Sequence, residues 1–338
     1  MKRKLKAAIL GFGSIGHAHA DGYRDQPDCE LVAVADNDPG QLQCSSAELN
    51  LGTTDSLDLS KLRRYGSFEE LIASEELDII DICVPTDFHA HYAIAALQHN
   101  INVLSEKPMA PNLREADAMI AAAEKSGKAL MIGQCLRFYP CYEELKRMVD
   151  EQRFGRLLRL SMRRISGLPR GLGYWFRDGR RSGGALLDMH IHDTDFANYL
   201  FGVPDSVVTF GCTHYTGAID DAITHYIYRD GPLVSAETSW SLGAFSMSFE
   251  AIFENASVEM KRADELIIDR LDQQPEVVKL SPEGGHRREI SYFASCILNG
   301  EPVDRCTPWS ARETIRIALA EERSARNGGR RVAVGGGR

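Results

Sequence analysis

A glycine-rich hexapeptide between a short apolar run and a helix-like stretch constrains this chain more than any other feature. The apolar run covers residues 6–10, the helix-like stretch 15–23, and the hexapeptide reads Gly11-Phe12-Gly13-Ser14-Ile15-Gly16. In this pattern the first glycine permits a tight turn, the second lets the backbone approach a pyrophosphate at the helix N-terminus, and the third allows close helix–strand packing. The hexapeptide therefore predicts the first turn of a dinucleotide-binding domain.

An acidic residue follows at the distance that this interpretation requires. Asp36 comes directly after the second apolar run, 31–35, and lies twenty residues past Gly16. A carboxylate at that position accepts hydrogen bonds from a ribose 2′-hydroxyl and repels a 2′-phosphate. The two features together favour NAD over NADP. The alternative is a glycine turn that serves packing alone.

The chain changes character near its middle. Apolar runs at 6–10, 31–35, 78–84, 102–104 and 129–132 alternate with helix-like stretches at 15–23, 68–73, 89–98 and 113–126. This alternation predicts a parallel, doubly wound α/β sheet over residues 1–130. The runs at 207–214, 222–229, 233–240 and 246–253 are longer and more alternating, and a helix-like stretch closes the chain at 308–326. We therefore expect residues 131–338 to form an α+β domain on a large, mainly antiparallel sheet.

Charge and cysteine usage exclude several classes of protein. With 39 basic and 48 acidic residues the net charge is -9, which argues against a nucleic-acid partner. No apolar run reaches the roughly 18–20 residues that span a membrane. The eight cysteines lack C-x-x-C spacing and indicate free thiols in a reducing, cytoplasmic compartment. The basic N-terminus leads into an apolar stretch too short for an export signal, so we interpret it as the first strand.

A lysine lies where a parallel sheet binds its ligands. Lys107, in Ser105-Glu106-Lys107-Pro108, follows a strand end. Ligands of open α/β sheets bind outside the carboxyl ends of the strands, so this lysine is predicted to lie near a nicotinamide. The alternative is a surface lysine at a turn. Pro108 restricts Lys107 to an extended backbone and permits a cis peptide bond.

A second candidate site is rich in Asp and His. On one helix, Asp188 and His192 would be four residues apart and share a face. A carboxylate orients a neighbouring imidazole and raises its pKa, which suits a base that removes a proton from an alcohol. His190 would then serve packing or the substrate rim, and Asp195 would be structural. Two alternatives are a metal site built from His190, His192 and Asp193, and a polar helix face without chemistry. Because H-x-H spacing suits a strand better than a helix, we predict no metal site.

Together these segments resemble the Gfo/Idh/MocA oxidoreductase family, named for glucose–fructose oxidoreductase, inositol dehydrogenase and a rhizopine-catabolism protein. The resemblance covers nearly the whole chain. Besides the glycine turn it rests on Val84-Pro85-Thr86 followed by His89, on Glu106-Lys107-Pro108, and on Gly183-Gly184 leading to Asp188-Met189-His190-Ile191-His192-Asp193. The last segment is similar to inositol dehydrogenases. Residues 161–166 read Ser-Met-Arg-Arg-Ile-Ser where those enzymes place a His and an Asn, so the polyol contacts would differ.

The resemblance implies an N-terminal Rossmann domain and a C-terminal domain for substrate binding and assembly into a homodimer or homotetramer. It implies a catalytic group in which His192 exchanges the proton, Asp188 orients it or binds a hydroxyl, and Lys107 hydrogen-bonds the reacting oxygen. Arg137 and Trp175 would face the substrate. The expected cofactor contacts are Gly11, Phe12, Gly13, Ser14, Ile15, Gly16, Asp36, Pro85, Thr86, His89, Glu106 and Lys107.

The function that the resemblance implies is NAD-dependent hydride transfer to or from a secondary hydroxyl or ketone. The substrate would be a sugar, an inositol-like polyol or a sugar derivative. Two alternatives stay open. One is an NAD-dependent glycosidase that oxidises a ring hydroxyl transiently, and the other is a non-catalytic, NAD-sensing binding protein.

An arginine cluster in an acidic chain has two interpretations. Residues 153–181 contain one acid, Asp178, and nine arginines, at 153, 156, 159, 163, 164, 170, 177, 180 and 181. Arginines suit an anionic substrate, because they bind carboxylates and phosphates in bidentate fashion. The favoured alternative is a subunit contact or solvated surface, paired with acids such as Glu250, Glu254 and Glu259.

Overall fold

The computed structural model describes residues 3–49, 52–54, 57–169 and 172–335. It divides into two compact units. The first comprises Met1–Gln134, Gly171–Gly173 and His286–Arg312, and the second comprises Cys135–Arg170, Tyr174–Gly285 and Glu313–Arg338. The first unit therefore includes a C-terminal segment that the sequence pattern does not reveal.

Regular elements follow one another along the described chain. The strands are β1 (Leu5–Leu10), β2 (Cys29–Ala35), β3 (Glu48–Leu49), β4 (Gly52–Thr53), β5 (Arg63–Tyr65), β6 (Ile79–Ile82), β7 (Asn102–Glu106), β8 (Leu130–Gly133), β9 (Leu157–Gly167), β10 (Ser206–Cys212), β11 (Asp221–Ile227), β12 (Leu233–Ser239), β13 (Ser241–Phe253), β14 (Ser257–Arg262), β15 (Glu265–Asp269), β16 (Glu276–Lys279) and β17 (Val332–Ala333). The helices are α1 (Ser14–Gly22), α2 (Phe68–Ser74), α3 (His89–Gln98), α4 (Leu113–Ser126), α5 (Pro140–Asp150), α6 (Gly179–Ser182), α7 (Gly184–Asp188), α8 (Ile191–Phe201), α9 (Gly285–Asn299) and α10 (Pro308–Arg326).

The first unit is built on a six-stranded parallel sheet in the order β5-β2-β1-β6-β7-β8. The chain runs outward from β1 to one side and then returns to fill the other side from β6. In such a sheet, ligands bind at the carboxyl edge beside this reversal, between β1 and β6. The predicted doubly wound Rossmann sheet is confirmed.

Local signals fix the ends of the helices that flank this sheet. The Asn112 side chain accepts a hydrogen bond from the Glu115 N–H at the start of α4, and Gly127 ends that helix at φ +67°. Capping of both kinds stabilises helix termini because the terminal N–H and C=O groups lack partners within the helix. The predicted helices at 89–98 and 113–126 match α3 and α4 residue for residue.

The second unit is built on a nine-stranded sheet in the order β16-β15-β14-β13-β9-β12-β11-β10-β17. Only the β9–β12 pair is parallel among the described strand pairs of this sheet, so the predicted, mainly antiparallel sheet is confirmed. Side chains of β11 alternate, with Ala222, Thr224 and Tyr226 buried and Ile223 and His225 exposed. One face of the sheet is thus covered and the other is open in this chain.

Two findings bear on the classes excluded above. The predicted first strand is β1, and none of the described helices has both the length and the apolar character that crossing a membrane requires. All eight cysteines are free thiols. Six of them are buried, as expected from their apolar surroundings, whereas Cys44 and Cys212 are exposed.

Candidate cofactor and active site

The glycine turn connects β1 to α1 and has the shape that a dinucleotide requires. Gly11 has φ +93°, and a Cβ there would lie 2.7 Å from the Cys83 carbonyl atoms. A Cβ on Gly16 would lie 2.2 Å from the Gly11 oxygen, whereas a Cβ on Gly13 would meet nothing within 4 Å. Packing therefore requires the outer glycines, and the space beside Gly13 is open at the N-terminus of α1, where a pyrophosphate can approach the backbone.

Asp36 lies at the end of β2 and is held by the glycine turn itself. One carboxylate oxygen accepts the Phe12 N–H at 2.7 Å, and the other accepts the Asp38 N–H at 2.8 Å. The carboxylate is half-buried and keeps lone pairs for further donors. Its orientation is fixed before any ribose binds, which suits recognition of a 2′-hydroxyl.

His89 joins the loops that follow β6 and β7. Its ring nitrogens lie 2.8 Å from the Pro108 carbonyl oxygen and 2.8 Å from the Val84 carbonyl oxygen. Burial lowers the pKa of His89, although both carbonyls favour its protonated form. Because both nitrogens face backbone carbonyls, His89 ties the loop after β6, which contains Pro85 and the buried Thr86, to the loop after β7.

The segment around Lys107 is fixed from within the first unit. Glu106 is buried, and one of its oxygens accepts the Lys107 N–H at 3.1 Å. The other oxygen lies 3.0 Å from His19 Nε2. The Lys107–Pro108 peptide bond is cis, and the Lys107 side chain is half-buried. The Glu106 side chain therefore has internal partners, and Lys107 remains at the carboxyl edge of the sheet.

The single helix predicted over Asp188 and His192 is wrong. Helix α7 ends at Asp188 and α8 begins at Ile191. The Met189 N–H donates to the Ala185 carbonyl as in a regular α-helix, but the His190 N–H donates to the same carbonyl, five residues back. This bond widens the last turn of α7 and interrupts the i→i−4 pattern. Asp188 and His192 are both half-buried and lie on either side of this break, so they do not belong to one continuous helix.

The other acid and histidine residues of this segment are structural. Asp193 forms a buried, two-point ion pair with Arg164 at 2.9 and 3.1 Å. His190 is fully buried, and its Nε2 lies 3.1 Å from the Thr224 hydroxyl. Burial and the nearby Arg164 lower the pKa of His190 to about 3. This agrees with the packing role predicted for His190 and removes Asp193 as a metal ligand at this place.

Arg137 does not have the contacts predicted for a substrate-facing residue. It is 2% exposed and donates to both oxygens of Asp195, at 2.8 and 2.6 Å. Its guanidinium also lies over the ring of Tyr199, 4.6 Å from the centroid. A buried cation needs such a partner, so Arg137 is a core residue and Asp195 is structural, as predicted. Trp175 stacks on Phe176 with ring centroids 4.0 Å apart.

The arginine cluster is largely paired inside the second unit. Arg164 is buried, Arg170 lies outside the described residues, and Glu259 pairs with Lys261 instead of an arginine. The exposed pairs are Arg153–Glu144, Arg156–Glu254, Arg159–Glu250, Arg163–Glu237 and Arg180–Asp178. This pairing supports the solvated-surface interpretation.

Two parts of the chain match known family profiles. Residues 5–134 match an oxidoreductase family with an NAD-binding Rossmann fold, and residues 142–259 match the Gfo/Idh/MocA C-terminal domain. The Rossmann sheet with its glycine turn, together with these two matches, defines an NAD-binding oxidoreductase. The chain belongs to the Gfo/Idh/MocA family, as its motifs predict, and the predicted cofactor and reaction class are confirmed.

Curated relatives and solved structures agree with this assignment. Scyllo-inositol 2-dehydrogenase (NAD(+)) of Bacillus subtilis (strain 168) is 25% identical over 346 residues, which cover 97% of this chain and 96% of that protein. Myo-inositol 2-dehydrogenase of Thermotoga maritima is 28% identical over 238 residues, covering 68% and 66%. The structure of levoglucosan dehydrogenase with NADH and levoglucosan has a TM-score of 0.83 at 20% identity and covers 99% of this chain and 100% of that one. At 20% identity, the likeness to levoglucosan dehydrogenase shows a shared fold alone.

Proposed function

We propose that this oxidoreductase acts on a secondary hydroxyl or ketone of a cyclic polyol or sugar. The observation that carries the proposal is the carboxyl edge of the first sheet. There the open glycine turn, the fixed carboxylate of Asp36 and Lys107 follow the ends of β1, β2 and β7. The inositol dehydrogenases among the relatives support the choice of substrate class.

Asp36 is the proposed determinant of the preference for NAD. When bound, NAD supplies the carbon that accepts or returns the hydride. Asp36 would hold the ribose through a charge-assisted hydrogen bond of about 1.5–3 kcal/mol and repel a 2′-phosphate. Replacing it with serine should therefore raise the ratio of kcat/KM for NADP to that for NAD by about 10–100-fold. An unchanged ratio would contradict this role.

The proposed proton chemistry uses Lys107, Asp188 and His192. His192 would accept the proton of the reacting hydroxyl, and Asp188 would orient the imidazole or bind a substrate hydroxyl. Lys107 would donate a hydrogen bond to the reacting oxygen. A positioned acid or base of this kind contributes about 10²–10⁴-fold to the rate.

A neutral substrate fits the arginine cluster better than an anionic one. The exposed arginines that carried the anionic hypothesis, such as Arg159 and Arg163, are already neutralised by glutamates on neighbouring strands. If this is correct, Arg163→Ala and Arg177→Ala should leave the KM of the substrate near its wild-type value. A several-fold rise in KM would favour the anionic substrate.

The open face of the second sheet supports assembly into a homodimer or homotetramer, and the eight free thiols suit a location in the reducing cytoplasm. Phe210 and Ile223 lie opposite each other on β10 and β11, and their exposed fractions are 58% and 49%. Leu233, 75% exposed, lies on the same face beside Arg159. Exposed apolar side chains grouped in this way are typical of protein–protein contacts. Light scattering of the purified chain tests the assembly.

The proposed reaction is tested with purified protein, NAD or NADP, and a panel of inositols, aldoses, sugar acids and sugar phosphates. We expect reduced nicotinamide to form with NAD and neutral polyols or sugars. Lys107→Ala and His192→Ala should each lower kcat about 10²-fold or more and leave NAD affinity near wild type. The exposed Lys125→Ala serves as the matched control and should turn over normally.

Other outcomes would redirect the assignment. Retained NAD, no net reduction and release of an aryl leaving group would indicate the glycosidase cycle. NAD binding without any turnover, unaffected by replacement of Lys107 and His192, would indicate a binding protein.

A further inference from the structure

Four potential metal ligands of the first unit converge beside the Lys107 segment. They are His19 on α1, Glu106 at the end of β7, and His286 and Glu289 on the first turns of α9. One nitrogen or carboxylate oxygen from each lies within 4.8 Å of the corresponding atoms of the other three. His19, Glu106 and Glu289 are buried, and His286 is half-buried. The set therefore offers two imidazoles and two carboxylates around one point.

The acidic members of this cluster lack enough positive charge. His19 bridges Asp81 and Glu106, with its nitrogens 2.8 Å and 3.0 Å from the two carboxylates. Both oxygens of Glu289 are buried and have no hydrogen-bond partner among the described residues. Buried carboxylates are stable only when they are protonated, paired or bound to a metal. His19 and Lys107 act on Glu106, whereas Glu289 has no ion pair among the described residues, so a further cation would stabilise the cluster.

The cluster also has the outer contacts that orient metal ligands. A metal-bound histidine commonly donates its other ring N–H to a carboxylate, which fixes the ring and its tautomer. His19 has this arrangement, because Nε2 faces Glu106 and Nδ1 lies 2.8 Å from Asp81. Metal binding at Nε2 would replace the proton now shared with Glu106, and that proton would leave to solvent.

Helix α9 is held in place by contacts outside the cluster. The Gln26 side-chain amide donates to the Gly22 and Arg287 carbonyls at 2.8 and 3.0 Å. A Cβ on Gly22 would lie 2.7 Å from Ile290 Cδ1, so α1 and α9 are as close as a glycine allows. The ligands from α1 and α9 are therefore positioned by packing before an ion binds.

We infer that His19, Glu106, His286 and Glu289 bind one divalent transition-metal ion of the zinc class. Two nitrogens and two oxygens suit Zn²⁺, whose sites are usually tetrahedral. Because all four ligands are protein side chains, the ion would be structural and would link α1, β7 and α9. The site was not predicted from the sequence, since its ligands come from segments up to 270 residues apart.

The test uses the full chain, stripped of metal and titrated with Co²⁺ and then with Zn²⁺. We expect one equivalent of Co²⁺ to give the visible spectrum of a four-coordinate site, and Zn²⁺ to displace it. Zn²⁺ at about 100 times its Kd should raise the Tm by about 5 °C. Glu289→Gln should lose both the spectrum and the shift in Tm.

A second candidate cluster provides the matched control. Cys212, His214 and Asp221 also group their ligand atoms, but Cys212 and His214 are exposed. His214→Asn should therefore retain the full Co²⁺ equivalent and the shift in Tm. The inference would be overturned if the wild type bound no ion, or if His214→Asn lost the Co²⁺ spectrum while Glu289→Gln retained it. His286→Gln gives a second test should Glu289→Gln fail to show a native circular dichroism spectrum.

Discussion

Glu321→Gln should stabilise the second unit at neutral pH and leave it nearly unchanged in mild acid. The Glu321 side chain lies on α10, is fully buried, and its two oxygens accept the Thr194 hydroxyl at 3.1 and 3.2 Å. Burial raises the pKa of Glu321 to about 7, and Asp193 adds to this, whereas hydrogen bonds with Tyr226 and Thr194 oppose it. The folded protein therefore keeps a proton that the unfolded chain releases.

The sign and size of the effect follow from this difference in pKa. Below pH 4.5, the ordinary value, Glu321 is protonated in both states and its contribution is the same in wild type and variant. As the pH rises from 4.5 to about 7, only the unfolded chain ionises, so the free energy of unfolding falls. A pKa difference of about 2.5 corresponds to a loss of about 3 kcal/mol, complete above pH 7. Glutamine cannot ionise and avoids this loss.

Urea unfolding of wild type and Glu321→Gln from about pH 4 to about pH 8 measures the difference directly. The difference should grow by about 3 kcal/mol in favour of the variant across this range. His190 lies 3.9 Å from Glu321, but its pKa of about 3 keeps it neutral, and it contributes equally to both proteins. The neighbouring, partly exposed Glu322→Gln is the control and should show a flat difference. A flat or falling difference for Glu321→Gln would refute the reasoning.

Four further substitutions separate packing from binding. Gly11→Ala should destabilise the first unit by about 2 kcal/mol or more, because Gly11 has a positive φ and its Cβ would meet the Cys83 backbone. Gly13→Ala should leave the Tm unchanged and weaken NAD binding in a fluorescence titration. Arg137→Met leaves Asp195 buried without its cation and should cost about 3–5 kcal/mol in urea unfolding; a smaller loss would contradict the core assignment. Arg159→Ala breaks an exposed pair and should change stability by less than about 1 kcal/mol.

The parts of the fold that local signals determine could be predicted from the sequence. Asn112 and Gly127, which are adjacent to α4, set the ends of that helix. The glycine turn and Asp36 lie within 26 residues of each other and together indicate the sheet edge that binds the cofactor. The alternation of β11 likewise reveals its covered face. Each of these features depends on residues close together in the chain.

The wrong predictions concern residues whose contact partners are distant in the sequence, and a helix break that no glycine or proline indicates. The sequence predicts a substrate contact for Arg137, because it gives no sign of the partner Asp195, which lies 58 positions away. The break between α7 and α8 contains neither glycine nor proline, and Met189 and His190 keep right-handed helical dihedrals, so the composition gives no sign of it. Assignment of α9 to the first unit depends on contacts such as Gln26 with Arg287, 261 positions apart.

That return of residues 286–312 to the first unit affects how the protein is made. Helix α1 leaves the ribosome early, but α9, which packs on it, is translated only after eight of the nine strands of the large sheet, β9 to β16. Domains generally fold N-terminal first during synthesis. Here the nucleotide-binding unit cannot be completed until most of the second unit has been synthesised, and until then the side of α1 that contacts α9 has no partner from α9.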